Sequence, residues 1–209
     1  MSRIHEKSPE HCAKRGLNFK KFNKKLFFAF STFLLTVLSF ILLVWFILHP
    51  TKPQFSLKEA EINQLNLSGP SLLNSSVQLT LLSSNPNKKV GIYYDELQVH
   101  ASYKGQTITP DTSIPPFYQE HEETNLLSAS LVGNQQPVAP SFGYDVGRDQ
   151  STRKLVLTIK VTGKLQWKVG TWVSGKYRFN VNCVAIMAFG SIPSPPLSSK
   201  QGTRCSTTI

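Results

Sequence analysis

The sequence predicts an all-β fold behind a single membrane-spanning helix, that is, one N-terminal helix followed by an antiparallel β-sandwich. Residues 26–48 form an unbroken apolar run without a charged side chain. After the run, apolar and polar side chains alternate at period two over several short stretches, which is typical of half-buried strands. No later stretch has an apolar stripe at the helical period between capping residues. We therefore divide the chain into a basic tail (1–25), a transmembrane helix (26–48) and an outer domain (49–209).

The apolar run is long enough to cross a bilayer. As a helix it measures roughly 34 Å, against a hydrocarbon core of about 30 Å. The alternative is a cleaved signal peptide, whose apolar part is ordinarily about 7–15 residues long and ends at a small-residue cleavage site. The run is longer than that, and His49-Pro50-Thr51 does not resemble such a site. We predict an uncleaved signal-anchor.

Lysine and arginine side chains set the orientation of this span. Residues 1–25 contain eight of them against two Glu, within a net charge of +11 for the chain. Because basic flanks stay in the cytosol, the sequence predicts a cytosolic N-terminus and a lumenal or extracellular outer domain. The tail also attracts anionic cytosolic lipids, by about 1 kcal/mol for each basic residue near the surface. No zinc-finger spacing, recognition helix or ribonucleoprotein motif accompanies the charge, so nucleic acid is not an expected partner.

Two features of the outer domain fit an oxidising compartment. The sequons at 66–68 and 74–76 make Asn66 and Asn74 candidate glycosylation sites. Cys183 and Cys205 lie 22 residues apart in this domain, whereas Cys12 lies alone in the tail. We predict a disulfide between Cys183 and Cys205. Two unpaired thiols are the alternative.

Strands are predicted from alternation and turns from proline and glycine. The clear strands cover residues 77–81, 92–103, 155–161 and 177–187, and weaker candidates cover 54–67 and 125–132. The apolar parity of 54–67 switches twice, which predicts a bulge or two short pieces. Lys104-Gly105 predicts a turn, the proline-containing connector 107–119 an extended or edge segment, and residues 191–199 an irregular loop.

We find no catalytic constellation in the sequence. It has no serine-nucleophile elbow, zinc-binding helix motif, phosphate-binding glycine loop or Cys-x-x-Cys pair. His100 is expected to face solvent from a strand, and His121 to lie in a solvated acidic loop. Asp145 and Asp149 are expected on a turn without calcium-loop spacing. We predict a non-enzymatic protein with no catalytic residue, metal site or cofactor.

Two tryptophans, Trp167 and Trp172, stand among basic residues. A hairpin that packs both into the core is the interpretation we favour. An exposed aromatic patch that contacts headgroups or a polysaccharide is the alternative.

A longer pattern of residues resembles a known family. The pattern consists of Asn85, Pro86, Asn87, Gly91, Tyr93, Tyr94 and Asp95, followed by Pro115, Pro116, Phe117, Tyr118 and Gln119. Together with the basic tail, the span and the spaced cysteines, it resembles the plant NHL family, the proteins related to the non-race-specific disease-resistance and harpin-induced genes. The outer part of these proteins is a late-embryogenesis-abundant group-two domain.

The resemblance implies a fold, a location and a role. The fold is a fibronectin III-like sandwich, at the plasma membrane or plasmodesmata, with the endoplasmic reticulum as the alternative. The role lies in defence or stress responses or in cell-to-cell transport. Within the pattern, we expect Pro86 to fix a turn, Gly91 to permit a bulge, and Tyr93 and Tyr94 to place one aromatic ring on each face of a sheet.

Three functions compete at this point. The first is a membrane-tethered scaffold that binds partner proteins or wall components, none of which the sequence identifies. The second is a carrier for a lipid or another small apolar ligand, held between two sheets. The third is a stress protectant, which ordinarily requires a disordered polar chain, whereas this one is 40% hydrophobic with clear strands.

Overall fold

The computed structural model describes residues 19–48, 50–69, 71–188, 197–199 and 203–209. The chain divides into two compact units after His49. In the first unit, helix α1 covers Phe19–Leu48 and so begins before the apolar run. Its apolar window, Lys24–Trp45, has none of its residues buried by the described protein. The predicted N-terminal apolar helix is confirmed.

The two threonine hydroxyl groups of α1 are satisfied within the helix. Thr32 Oγ1 donates to the carbonyl oxygen of Phe28 at 3.0 Å, and Thr36 Oγ1 donates to that of Phe33 at 2.8 Å. Hydroxyl groups that bond to the preceding helical turn need no other partner. These two threonines therefore leave the outer surface of α1 apolar.

The second unit is built of strands with one short helix. The strands are β1 (Gln54–Leu67), β2 (Leu72–Ser84), β3 (Gly91–Tyr103), β4 (Gln106–Thr107), β5 (Thr112–Ile114), β6 (Phe117–Gln119), β7 (Thr124–Pro137), β8 (Lys154–Val169), β9 (Trp172–Val173), β10 (Tyr177–Ala188), β11 (Leu197–Ser199), β12 (Thr203–Arg204) and β13 (Ser206–Thr208), and helix α2 is Phe142–Ser151. The pairings between these strands are antiparallel. The predicted all-β antiparallel fold is confirmed.

The strands form two layers. In the first sheet, β2 lies between β1 and β7. In the second, β8 lies between β3 and β10, and the short strands β4, β5 and β6 pair with the free edge of β3. The predicted proline-containing connector thus consists of edge strands. A proline costs least at such an edge, because there its missing N–H leaves no ladder hydrogen bond unmade.

The predicted strands are present but longer than the alternation indicated. The two weaker candidates are single strands, β1 and β7. β1 has two register shifts, between Leu57 and Glu59 and between Ile62 and Gln64, as its switches of parity predicted. The predicted turn at Lys104-Gly105 is present, and both residues have positive φ, 46° and 83°. Such a pair matches the twist of a two-residue hairpin.

β3 keeps its apolar side chains inward by means of a bulge. Its register against β8 shifts between Asp95 and Gln98, where Glu96 has φ 51°. Tyr94 before the shift and Leu97 after it are both buried, although they lie three residues apart. Without the extra residue, one of them would point to solvent.

Aromatic rings from both sheets meet in the core. Phe55 of β1 stacks on Phe179 of β10 with ring centroids 5.9 Å apart, and Tyr94 of β3 meets Phe179 edge to face at 5.8 Å. Edge-to-face and stacked pairs at these separations contribute about 0.5–1.5 kcal/mol beyond the burial of their area. This cluster fixes the two layers face to face.

The prediction of a turn around Asp145 and Asp149 is wrong, because α2 covers them. Phe142 is buried against Tyr103, with centroids 5.5 Å apart, and Val146 packs one turn later. Asp149 accepts hydrogen bonds from the Tyr103 hydroxyl at 2.7 Å and from the Lys104 ammonium at 3.0 Å. With only two core-facing apolar residues, the helix has too short a stripe to be visible in the sequence.

The last strands join the two sheets along one edge. We call β11, β12 and β13 the C-terminal seam: β11 pairs with both β1 and β10, β12 pairs with β1, and β13 pairs with β10. Cys205, between β12 and β13, donates its N–H to the Phe55 carbonyl at 2.9 Å and forms a disulfide with Cys183 of β10. Of the predicted loop 191–199, residues 191–196 lie outside the described residues, and 197–199 form β11.

We expect the disulfide to carry much of the stability of the seam. Closing a loop of 22 residues stabilises a fold by about 3 kcal/mol on the chain-entropy argument. Cys183→Ala and Cys205→Ala should each lower the free energy of unfolding of the outer domain by about that amount. The measurement is denaturant unfolding of the full chain in detergent, followed by near-ultraviolet circular dichroism. Cys12→Ala is the matched control, and an equal loss there would contradict a stabilising disulfide.

Candidate functional site at the proximal end of the domain

Most residues of the family pattern lie at one end of the sandwich. We call this the proximal end: residues 50–53, the β2–β3 loop 85–90, the β6–β7 loop 120–123 and the β8–β9 hairpin with its flanking strand ends. The antiparallel registers place these segments together, since β1 begins, β2 ends, β3 begins and β8 ends there. The opposite end, with α2 and the β1–β2 turn, is the distal end.

The two asparagines of the pattern hold the loops of the proximal end. Asn87 receives the Thr51 N–H on its Oδ1 at 2.7 Å, and its Nδ2 donates to the Thr51 carbonyl at 2.8 Å. Asn85 Nδ2 donates to the carbonyls of Val90 and Glu120 at 2.8 and 2.9 Å. Asn85 Oδ1 in turn accepts from the side chain of Asn87. The pair therefore links three segments through buried amide groups.

A buried polar cluster centres on Gln119, the residue that follows Tyr118. Its Nε2 donates to the Ser83 carbonyl at 2.8 Å and to Asn125 Oδ1 at 2.7 Å. Its Oε1 accepts from the Tyr94 hydroxyl at 3.1 Å. Burial raises the pKa of Tyr94 above its ordinary value, so this phenol stays protonated and keeps donating.

Tyr93 and Tyr118 form an aromatic pair on the outer face of the second sheet. Their ring centroids are 4.5 Å apart, and Lys168 Nζ lies 4.8 Å from the Tyr118 centroid. The hydrogen bond between Lys168 Nζ and the Tyr93 hydroxyl, 3.2 Å long, raises the pKa of this ammonium. Tyr93 and Tyr94 do occupy opposite faces of the sheet, as the alternation of a strand requires.

Gly91 has a different role from the one predicted. The bulge of β3 lies at Asp95–Gln98, and Gly91 is instead covered by the ring of Tyr118. A Cβ atom at Gly91 would lie 2.8 Å from two ring carbons of Tyr118. The glycine is therefore needed for close approach of the ring.

The remaining pattern residues flank this centre. Pro115 and Pro116 connect β5 to β6 and lie exposed beside the bulge, and Phe117 stacks on Tyr94 at 4.6 Å. Asp95 forms an ion pair with Lys176 at 2.6 Å. The hydrogen bond from Lys176 holds the pKa of Asp95 below its ordinary value. Each of these contacts supports the fold at this end of the sandwich.

The candidate histidines and tryptophans have separate environments. His100 points outward between the buried Val99 and Ala101, as expected, and its Nδ1 lies 2.7 Å from Asp111 Oδ1. Among the described residues, no group of three or more His, Cys, Asp and Glu side chains is arranged to hold a metal ion, and this holds for the stretch around His121. Trp167 is 7% exposed, as the hairpin interpretation predicted, whereas Trp172 is 62% exposed and contradicts it.

The two sequon asparagines face each other across β1 and β2 near the distal end. Asn66 is exposed. Asn74 is half-buried, donates from Nδ2 to Ser68 Oγ at 2.8 Å and accepts the Gln135 N–H at 2.8 Å. Directly opposed side chains on one face have Cβ atoms about 5 Å apart, too close for two glycans side by side.

Sequence reasoning included Gln119 in the pattern but gave it no role, and it missed Ser83 and Lys168. The signal for Gln119 was available. A lone amide at a core-facing position next to aromatic residues has to be hydrogen-bonded, because an unpaired buried amide is costly. Lys168 gave no such signal, since its ring contacts depend on a strand that lies far away in sequence.

Comparisons with known proteins show which family the chain resembles. A family described as "Late embryogenesis abundant protein", LEA_2, matches residues 80–184. The chain is similar to NDR1/HIN1-like protein 26 of Arabidopsis thaliana, at 62% identity over 100% of both chains. It is also similar to NDR1/HIN1-like protein 1 of the same plant, at 41% identity over 86% of this chain and 87% of the relative. A solution structure of another Arabidopsis thaliana protein gives a TM-score of 0.38 at 14% identity, covering 68% of this chain and 85% of that one.

We expect Gly91→Ala to disturb the aromatic pair. The new methyl group should displace Tyr118 from Tyr93 and Lys168, at a cost of about 1–3 kcal/mol in the free energy of unfolding. Gly175→Ala is the matched control, because nothing lies within 4 Å of its added Cβ. In a Tyr118→Leu background the cost of Gly91→Ala should shrink, and an undiminished cost would exclude the ring contact as its cause.

We expect Asn66, rather than Asn74, to carry a glycan in the folded protein. Asn66→Gln should abolish the mobility shift on enzymatic deglycosylation of protein expressed in plant cells. Asn74→Gln should keep the shift and instead lower stability by about 1 kcal/mol, because two hydrogen bonds are lost. A shift that disappears only in Asn74→Gln would reverse the assignment, and no shift in the unaltered chain would argue against a lumenal or extracellular domain.

Proposed function

Because the chain belongs to the LEA_2 family, among its NDR1/HIN1-like proteins, we propose that it is a non-enzymatic single-pass membrane scaffold in plant defence or stress responses. Its outer domain binds partner proteins or wall components, and its N-terminus lies in the cytosol. The plasma membrane or the plasmodesmata are the proposed location, with the endoplasmic reticulum as the alternative. Regulation of cell-to-cell transport is the related role that a plasmodesmal location would give it.

The observation that carries the proposal is the exposed apolar surface of α1. Every described side chain of this helix from Lys24 to Trp45 is exposed or, at Ser31, half-exposed, and large apolar residues cover all its sides. A surface of this size needs a lipid environment or a partner helix to cover it. Membrane anchoring follows most directly from that requirement.

The scaffold role rests on how the domain uses its polar groups. The buried amide side chains at the proximal end, those of Asn85, Asn87 and Gln119, hold loops and strands together. The families named in the comparisons are not enzyme families. The domain thereby offers a rigid surface, which suits binding more than turnover.

A carrier function has less support from the arrangement of the core. Side chains from both sheets meet between the layers, and the three aromatic rings of Phe55, Tyr94 and Phe179 occupy its proximal half. The depressions lined by Glu59, Gln78 and Ser128 and by Asp95, Gln98 and Pro115 are open to solvent and are not enclosed between the sheets. Lipid that co-purifies with the full chain at fixed stoichiometry, detected by native mass spectrometry after detergent exchange, would favour the carrier instead.

Proximity labelling tests the topology and the scaffold role together. A labelling enzyme fused after Ile209, whose side chain is 52% exposed, should label wall, apoplastic or plasmodesmal proteins in plant cells. The same enzyme fused before Met1 should label cytosolic proteins. The control is the C-terminal fusion with residues 26–48 deleted, which should lose the outer set. Cytosolic labelling by the full-length C-terminal fusion would invert the orientation, and identical sets from the fusion and its control would contradict the scaffold.

A further inference from the structure

The β8–β9 hairpin exposes apolar side chains at the proximal end. Trp172 is 62% exposed and Val173 is 41% exposed, on a two-residue turn in which Gly170 has φ 57°. A large aromatic ring at the tip of a hairpin is costly to leave in water. Exposed apolar groups of this kind mark contacts with proteins or membranes.

The hairpin is firmly held, so the exposure of Trp172 does not come from fraying. Ser174 is buried, its N–H donates to the Trp167 carbonyl at 2.9 Å, and its hydroxyl accepts the Trp167 N–H at 2.9 Å. Gln166 Nε2 adds a hydrogen bond to the Ser174 carbonyl at 3.1 Å. Trp167 packs inward on the same hairpin. The fold thus fixes one tryptophan in the core and presents the other outward.

The hairpin belongs to the end of the domain that holds Thr51. Val173 pairs with Lys168, and Lys168 pairs with Gly91 on its other side. Val173 and Gly91 are therefore two strand spacings apart, each about 4.8 Å. Gly91 directly follows the β2–β3 loop, whose Asn87 binds both backbone groups of Thr51.

The chain itself limits how far this end can lie from a bilayer. Thr51 follows Leu48, the last residue of the apolar run, by three residues. Three extended residues reach about 10 Å at most. Because Asn87 binds Thr51, the loop that carries Asn87 is tied to the chain within three residues of the end of the apolar run.

The charges around the hairpin are mixed. Lys52, Lys88, Lys89 and Lys176 are exposed, and so are Glu120 and Glu122. A surface with both signs matches headgroups that carry both signs, as those of zwitterionic phospholipids do. Tryptophan in turn favours the zone between water and hydrocarbon.

We propose that the β8–β9 hairpin is a membrane-contact site, at which Trp172 and Val173 enter the interfacial zone of a zwitterionic phospholipid bilayer. The proposal rests on the anchoring part of the proposed function. The contact holds the outer domain in one orientation relative to the membrane surface. It also explains why a well-held hairpin keeps a tryptophan exposed.

Tryptophan quenching tests this contact in the full chain. The chain has three tryptophans, Trp45, Trp167 and Trp172. With Trp45→Phe and Trp167→Phe, Trp172 is the sole reporter. The protein is reconstituted into phosphatidylcholine vesicles with bromine on acyl carbons near the headgroup. Emission from Trp172 should fall by most of its intensity relative to unbrominated vesicles, and its spectrum should shift to shorter wavelength.

Two control chains separate the possible failures. One keeps only Trp45, which reports insertion of the apolar run. The other removes all three tryptophans and adds Tyr144→Trp, at a residue of the distal end that is 75% exposed. Strand β3, with 13 residues, spans about 43 Å between the two ends of the domain. The distal reporter is therefore too far from the hairpin to meet the bromine atoms, and it should not be quenched.

Three combinations of results decide whether the contact and the anchor exist. Quenching of Trp45 and Trp172 but not of the distal reporter supports the contact. Quenching of Trp45 alone overturns the contact and leaves the anchor standing, whereas quenching of none overturns both. The difference in quenching between the unaltered chain and Trp172→Phe gives the same answer without any change at the buried Trp167, should Trp167→Phe unfold the domain.

Discussion

The buried carboxamide of Gln119 is the interaction on which the proximal end depends. It binds the Ser83 carbonyl of β2, the Asn125 side chain of β7 and the Tyr94 hydroxyl of β3. Removing it would take one hydrogen bond from each of these partners, at about 0.5–1.5 kcal/mol for each bond, and the Tyr94 hydroxyl would keep its contact with Ser83 Oγ at 3.2 Å. Because the partners belong to both sheets, the amide fixes the spacing of the layers at one edge. The loop that holds Thr51 and the strands that carry the aromatic pair start from that edge.

The other edge of the sandwich is closed by different means. There the C-terminal seam pairs with β1 and β10, and the disulfide between Cys183 and Cys205 adds a covalent link. Its strands are only two or three residues long, so their hydrogen bonds alone would hold them weakly. A covalent closure of this kind also suits an oxidising compartment, where the proposed topology places the domain.

Alternation and composition predicted the helix, the main strands and the irregular register of β1, because each of these depends on local sequence. The failures depend on contacts between distant residues. Helix α2 exists because Phe142 reaches Tyr103 and Asp149 reaches Lys104, and neither contact leaves a periodic pattern. Gly91 was assigned to a bulge, although the ring that requires it lies 27 residues later, at Tyr118. Trp167 continues the inward alternation of β8 after Leu165, whereas Trp172 follows the turn on β9 and is exposed.

The residues of the family pattern serve mainly to hold the fold together, and this limits where a partner can be recognised. Asn85, Asn87 and Gln119 are occupied by backbone and side-chain partners within the domain, so they act on a partner only through the shape that they maintain. Recognition must then depend on side chains that the fold leaves exposed. If Trp172 occupies the bilayer, the proximal end is unavailable to soluble partners, and a glycan on Asn66 would restrict access near the β1–β2 turn. The outer faces of the two sheets remain open, and their orientation relative to the membrane would follow from the contact at the hairpin.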